Sequence, residues 1–235
     1  NYVNSQTYSL GANANLGGVA ARVIINEVTV NNASSLAGKL EIVGDAAKVI
    51  IANPYGITVN GASFINASDV VLATGAVAGI TGNIVNFQLG NNALTVQDPT
   101  TSGATSLSAQ GLALISRQIG IAGKIEADNL RVVAHNGQAI LDTTNTIGTI
   151  TTNTTGALGS AAPTLAIDSS ALGGMYANTI SLIATEAGAG VKVLGNMAAL
   201  GDAITIQANG DLVVGSGSTP TSLNANTITL ESTNA

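Results

Sequence analysis

The chain contains no cysteine and no tryptophan, and its aromatic inventory is two phenylalanines and four tyrosines. Without cysteine there are no disulfides, no thiolate metal sites and no cysteine nucleophile, which suits a chain exported unfolded. Charge is equally scarce, at 9% of residues against roughly 25% in an average soluble domain. The seven lysines and arginines are scattered singly from Arg22 to Lys192, and the formal net charge is −6. With no basic stripe to grip phosphates, a nucleic-acid partner is excluded. No apolar run approaches the roughly 18 residues of a membrane-spanning helix; Val70 to Ile80 comes nearest and is interrupted by Thr74, Gly75 and Gly79. Helical periodicity is nowhere sustained.

Apolar content, at 46%, is ordinary, so the chain can fold, and its core must be built from Val, Ile, Leu and Ala. The 28 glycines follow no collagen period, and together with many Asn, Thr and Ser they supply frequent corners.

A short apolar word recurs near the end: Asn178-Thr-Ile-Ser-Leu-Ile, Asp202-Ala-Ile-Thr-Ile-Gln and Asn226-Thr-Ile-Thr-Leu-Glu, each copy 24 residues after the last. Alternation of period two sends Ile180 and Leu182, Ile204 and Ile206, and Ile228 and Leu230 to one face, so stacked copies would bury them in shared columns. In the first half, Val49-Ile-Ile-Ala-Asn53 and Val70-Val-Leu-Ala-Thr74 are 21 residues apart and read as buried strands, entered at Lys48 and Asp69. Further strands are expected at 22–26, 39–43, 123–127 and 129–134. The 49 residues from Asn129 to Asn178 match about two turns of 24. The predicted fold is all-β, a parallel β-helix of roughly ten coils and roughly 50 Å, with short loops or hairpins outside the helix. Segments 97–106, 143–163 and 215–222 fall out of the repeat and read as loops or an edge hairpin. The expected organisation is a region 1–142, a Thr/Asn/Gly-rich loop 143–163 and β-helical repeats 164–235. Nothing obvious caps the rod at Ala235, so the parent protein is expected to continue.

Asn53-Pro54-Tyr55-Gly56-Ile57 carries specific turn chemistry: Asn bonds its own backbone, Pro fixes φ, Gly permits positive φ and Ile returns an apolar side chain inward. With Arg22 to Val28, Leu36 to Gly44 and Val49 to Asn66, this stretch resembles the two-partner secretion domain of filamentous-haemagglutinin-like exoproteins. That family carries the signatures Asn-Pro-Asn-Leu and Asn-Pro-Asn-Gly-Ile. Asn13-Ala14-Asn15-Leu16 is similar to the first, with Ala in place of Pro, and Asn53 to Ile57 to the second, with Tyr55 in place of Asn. Gly111 to Arg117 through Leu130 to Ala134 resembles the closing part of the domain, and Gly173 to Val191 the start of the haemagglutinin repeats.

The resemblance implies a right-handed parallel β-helix, secreted to the surface of a Gram-negative bacterium by an outer-membrane β-barrel transporter with periplasmic domains. It makes Asn13, Asn15, Leu16, Asn53, Pro54, Gly56 and Ile57 the secretion motif, and implies an N-terminal cap that is missing or shortened here. The rod would serve adhesion or effector presentation, with a host or bacterial surface receptor or glycan as second partner, or form the stalk of a contact-dependent growth inhibition toxin. No cofactor is implied.

Catalytic patterns are sparse. His135 is the only histidine, no G-x-S-x-G elbow or calcium nonapeptide occurs, and zinc lacks ligands. Glu126 and Asp128, sharing a strand face, are the pair a polysaccharide-lyase-like β-helix enzyme or a calcium site would use, and that is the rival reading. Sequons stand at Asn32, Asn66 and Asn153.

Overall fold

The computed structural model describes residues 16–99, 104–145, 147, 149–216 and 220–233. Within them the chain forms twenty strands, β1 to β20 in chain order, sixteen of which wind as a parallel β-helix with three faces. The first face stacks β1 (Val23–Glu27), β3 (Ala47–Ala52), β5 (Ala67–Ala73) and the second halves of β9 (Thr105–Ser116) and β11 (Lys124–Ala134). It continues with β16 (Thr179–Ala184) and the second halves of β18 (Met197–Ala208) and β20 (Leu223–Ser232).

The second face starts with β2 (Ser34–Glu41) and β4 (Ile57–Ile65), then stacks β8 (Leu94–Val96), β10 (Ile119–Ile121), β14 (Leu165–Ser169), β17 (Gly190–Val193) and β19 (Leu212–Val214). The third joins β15 (Met175–Ala177) to the remaining halves of β2, β4, β9, β11, β18 and β20. Because these long strands bend round a corner, all three faces form one continuous 16-stranded sheet.

Like residues stack on like. On the first face one file runs Ile24, Val49, Val70, Leu112, Leu130, Ile180, Ile204, Ile228, and a second runs from Asn26 through Ile51, Leu72, Leu114, Val132, Leu182 and Ile206 to Leu230. The steps of 21 and 24 residues read from the sequence are therefore single coils. The interval from Asn129 to Asn178 is not two turns: Leu130 pairs directly with Ile180, and the extra residues leave the rod. For that reason the first face is eight strands deep among the described residues, about 35 Å at ~4.8 Å per strand, rather than ten coils.

These extra residues and an earlier excursion after β5 build a second, antiparallel sheet outside the rod, ordered β13 (Ile150–Asn153), β12 (Gln138–Asp142), β7 (Ile84–Leu89), β6 (Gly75–Thr81). Its Val85, Phe87, Leu89, Ala139, Leu141 and Ile150 cover the outward side chains of the first face, Ile50, Val71, Ala113, Ile115 and Val133, as a second core. This explains why β3 and β5 are apolar at consecutive positions: both sides of these strands are buried. Farther along, the outward file of Ile50, Val71 and Ala113 turns polar at Arg131, Ser181 and Thr205. The segment 143–163, expected as loops or an edge hairpin outside the helix, contributes strand β13 to this cover.

The return from this excursion is held by polar groups. Arg117, 4% exposed, bonds both carboxylate oxygens of Glu186 (2.9 and 2.6 Å), the carbonyls of Ser160 (3.0 Å) and Ala161 (2.9 Å), Ser160 Oγ (2.6 Å) and Asn91 Oδ1. Asn136 exchanges two bonds with Leu158, and Gln88 Nε2 donates to Gly156 O at 3.0 Å. The hydrogen bond to Glu186 raises the Arg117 pKa above its ordinary value, so the guanidinium keeps its charge.

Two outcomes follow from burial. Leu112→Ala, at 0% exposure in the middle of a file, should cost about 2–5 kcal/mol in urea unfolding, whereas Ile228→Ala, at 42% exposure in the same file, should cost no more than about 1 kcal/mol. Arg117→Met strands Glu186 beside a loop it no longer holds, so limited proteolysis should cut within 154–162 faster than in the parent.

Candidate functional site

The pentad at 53–57 forms the corner between the first and second faces, joining β3 to β4. Asn53 N donates to Ala73 O of the next coil at 2.9 Å, and Asn53 O accepts from Gly56 N at 3.2 Å, closing a four-residue turn. Tyr55 keeps a negative φ while Gly56 takes φ 108°, which makes this a type I turn with Asn first, Pro second and Gly last, the order that turn prefers. A side chain at Gly56 would also meet Ala93 O at 3.4 Å.

The Asn53 side chain is fully buried and fully used. Its Oδ1 accepts from Tyr55 N at 2.8 Å, an Asx turn, and its Nδ2 donates to Asn32 O at 2.9 Å and Ser34 Oγ at 2.8 Å on the preceding coil. From the following coil Asn92 Nδ2 donates to Pro54 O at 2.8 Å. The turn is thus clamped between two neighbours. Ile57 and Gly56 are buried, whereas Pro54 and Tyr55 are half-buried.

Of the first motif, Asn13 and Asn15 lie outside the described residues; Leu16 is 42% exposed and its carbonyl accepts from Val19 N at 3.1 Å. Sequence reasoning missed Ser34 and Asn92. A usable signal was present, because the triplet Asn-Asn-Ala occurs at 31–33 and again at 91–93, and both copies flank the pentad in the stack.

Below this turn the same corner carries a file of buried polar side chains. Thr74 Oγ1 donates to Ser116 Oγ at 2.5 Å, and Asn209 Nδ2 to Thr185 O at 2.8 Å. His135, 5% exposed, meets Asn153 O through Nε2 at 2.7 Å and Thr185 Oγ1 through Nδ1 at 2.6 Å. A carbonyl can only accept, so Nε2 carries a hydrogen and holds the excursion to the rod, while Nδ1 ties the next coil.

Glu126 and Asp128 do line one open depression with Tyr176 and Asn178. The Glu126 carboxylate is held by Lys124 at 2.5 Å and by Thr105 Oγ1 at 2.8 Å, and these bonds lower its pKa. The lysine-bound Glu126 carboxylate therefore lacks the raised value of a general acid. Among the described residues no three His, Asp or Glu gather as metal ligands, and no helix is long and apolar enough to cross a membrane. The sequon at Asn66 spends its amide nitrogen on Ile42 O (2.8 Å) and Gly44 O (2.7 Å).

Residues 3–214 match the family of the TPS secretion domain. The chain is 39% identical over 207 residues (87% of its length) to the tRNA nuclease CdiA-2 of Burkholderia pseudomallei, and 39% identical over 204 residues (86%) to the 16S rRNA endonuclease CdiA of Enterobacter cloacae. It is 36% identical over 193 residues (82%) to the toxin CdiA of Yersinia pestis. It spans 6% of the length of each of these relatives. Among solved structures it superimposes on the filamentous hemagglutinin secretion domain with a TM-score of 0.69 and 30% identity, covering 91% of this chain and 73% of that one. The chain belongs to the TPS secretion domain family, the two-partner secretion domain of secreted, cell-surface-associated exoproteins of Gram-negative bacteria.

Proposed function

We propose that this chain is the part of a longer exoprotein that an outer-membrane β-barrel transporter recognises through its periplasmic domains, and that recognition uses the turn at Asn53, Pro54, Gly56 and Ile57 together with Asn13, Asn15 and Leu16. The observation that carries this reading is the clamped Asn53 turn, seated in a rod that superimposes on the filamentous hemagglutinin secretion domain. The role is non-enzymatic: the one paired-carboxylate candidate is tied to a lysine, and the one histidine is consumed structurally.

For the parent protein, the relatives favour toxin presentation over simple adhesion, since their names are those of toxins and nucleases. Those activities would sit in the larger part of the protein, with this rod leading it through the transporter and a receptor or glycan on a neighbouring cell as its second partner. The physics suits threading: there are no disulfides to obstruct passage and few charges to desolvate. Each coil laid down outside adds its own burial, so stability accrues as the chain emerges.

The test is retention on immobilised periplasmic domains of the transporter. The parent chain should bind, and Asn53→Ala, which leaves Asn32 O, Ser34 Oγ and Tyr55 N without their partner, should lose about 1–3 kcal/mol of stability and bind more weakly. Failure of the parent to bind sinks the reading.

A further inference from the structure

An asparagine followed by glycine is prone to lose its side-chain amide. The glycine nitrogen, unshielded by a Cβ, closes a five-membered ring on the asparagine Cγ wherever the carboxamide is free to swing over it. The chain holds three such pairs, Asn60-Gly61, Asn136-Gly137 and Asn209-Gly210. In the unfolded polypeptide the three are equivalent, so a difference between them is made by the coils.

Two of the pairs are locked. Asn136 Nδ2 donates to Leu158 O at 3.0 Å and Glu186 Oε1 at 3.1 Å, and its Oδ1 accepts from Leu158 N at 2.7 Å. Asn209 Nδ2 donates to Thr185 O at 2.8 Å, and its Oδ1 accepts from Thr233 Oγ1 at 3.3 Å. Both glycines are buried against backbone: a Cβ would collide with Asn153 O at Gly137 and with the carbonyl carbon of Gly188 at Gly210. Swinging either carboxamide over its glycine breaks these bonds and opens the coil.

Asn60 stands differently. It lies in β4 where the second face bends into the third, and strand pairing lapses there. Val59 pairs with Leu36 and Val96, and Ala62 with Gly38 and Leu107, but Asn60 and Gly61 have no pairing partner on either coil. The Asn60 side chain is exposed and makes no hydrogen bond among the described residues. Gly61 takes φ 76°, and a Cβ built on it meets nothing within 4 Å, so the space the ring closure needs is open.

We propose that Asn60 is the site at which the folded chain deamidates, giving aspartate and isoaspartate. The Gly61 nitrogen, having lost its proton to hydroxide, forms a bond to Asn60 Cγ, and the carboxamide nitrogen leaves as ammonia. Water then opens the cyclic imide at either carbonyl, so a carboxylate replaces the amide. The product adds one negative charge to a chain of formal net charge −6. In its isoaspartate form it also lengthens the backbone by one methylene between the buried Val59 and Ala62, so charge and corner length change together.

The experiment holds the chain at mildly alkaline pH, folded in buffer and unfolded in denaturant as verified by circular dichroism, and maps its peptides by mass spectrometry. In the folded chain the Asn60 peptide should exchange NH2 for OH more than about tenfold faster than those of Asn136 and Asn209, whereas in denaturant the three rates should agree within about threefold. The Asn60 rate should rise with pH, because the deprotonated nitrogen attacks. Asn60→Gln, whose ring closure would need six members, should abolish most of the ammonia released by the folded chain at unchanged Tm. Equal rates at the three sites of the folded chain, a rate gap that persists in denaturant, or undiminished ammonia release by Asn60→Gln overturns the assignment.

Discussion

Everything in this molecule depends on parallel strands meeting in register, one coil upon the next. At a spacing of about 4.8 Å each side chain faces its own counterpart from the coil before and the coil after, so a residue is judged by a column rather than by a neighbourhood. Ile204 is buried because Ile180 and Ile228 sit on either side of it. The same rule punishes shape changes, which is why the inward files are mostly Val, Ile, Leu and Ala, and why Met175 stacks on Met197. Phe87, the largest fully buried side chain, lies in the outer sheet, where strands run antiparallel and no column constrains it.

That rule also decides how much was legible from the sequence. The fold was, because a column imposes a period: Val49 and Val70, and Ile180, Ile204 and Ile228, are true stacking partners at the intervals the sequence shows. The excursions were not, because a hairpin that leaves the rod adds length without breaking the strand pattern on either side. Leu130 to Ile180 reads as two coils for that reason alone. A subtler trace existed: Ile50, Ala52, Val71 and Ala73 are apolar on the side a lone rod would show to water, which demands a covering layer.

The site divides along the same line. Local turn chemistry is written in consecutive residues, so the geometry of Asn53 to Ile57 could be read from the chain itself. Ser34 and Asn92 act on that turn from other coils, 19 and 38 residues away from Asn53 and Pro54 respectively, and nothing local marks them. Only the doubled Asn-Asn-Ala triplet hints that three coils share one corner.

Burial then separates the residues of the motif. A corner asparagine inside the stack answers to the column: its amide saturates the carbonyl and hydroxyl that the bend would otherwise leave unpaired in a dry interior. Asn53 is of this kind, whereas Tyr55, with only Pro54 between them, is half-buried and commits only its backbone to the turn. A variant at position 55 can therefore leave the corner intact, because the bonds that close the turn use Tyr55 only through its backbone nitrogen. The same is not true at 53, where side chain and backbone are both committed to the corner.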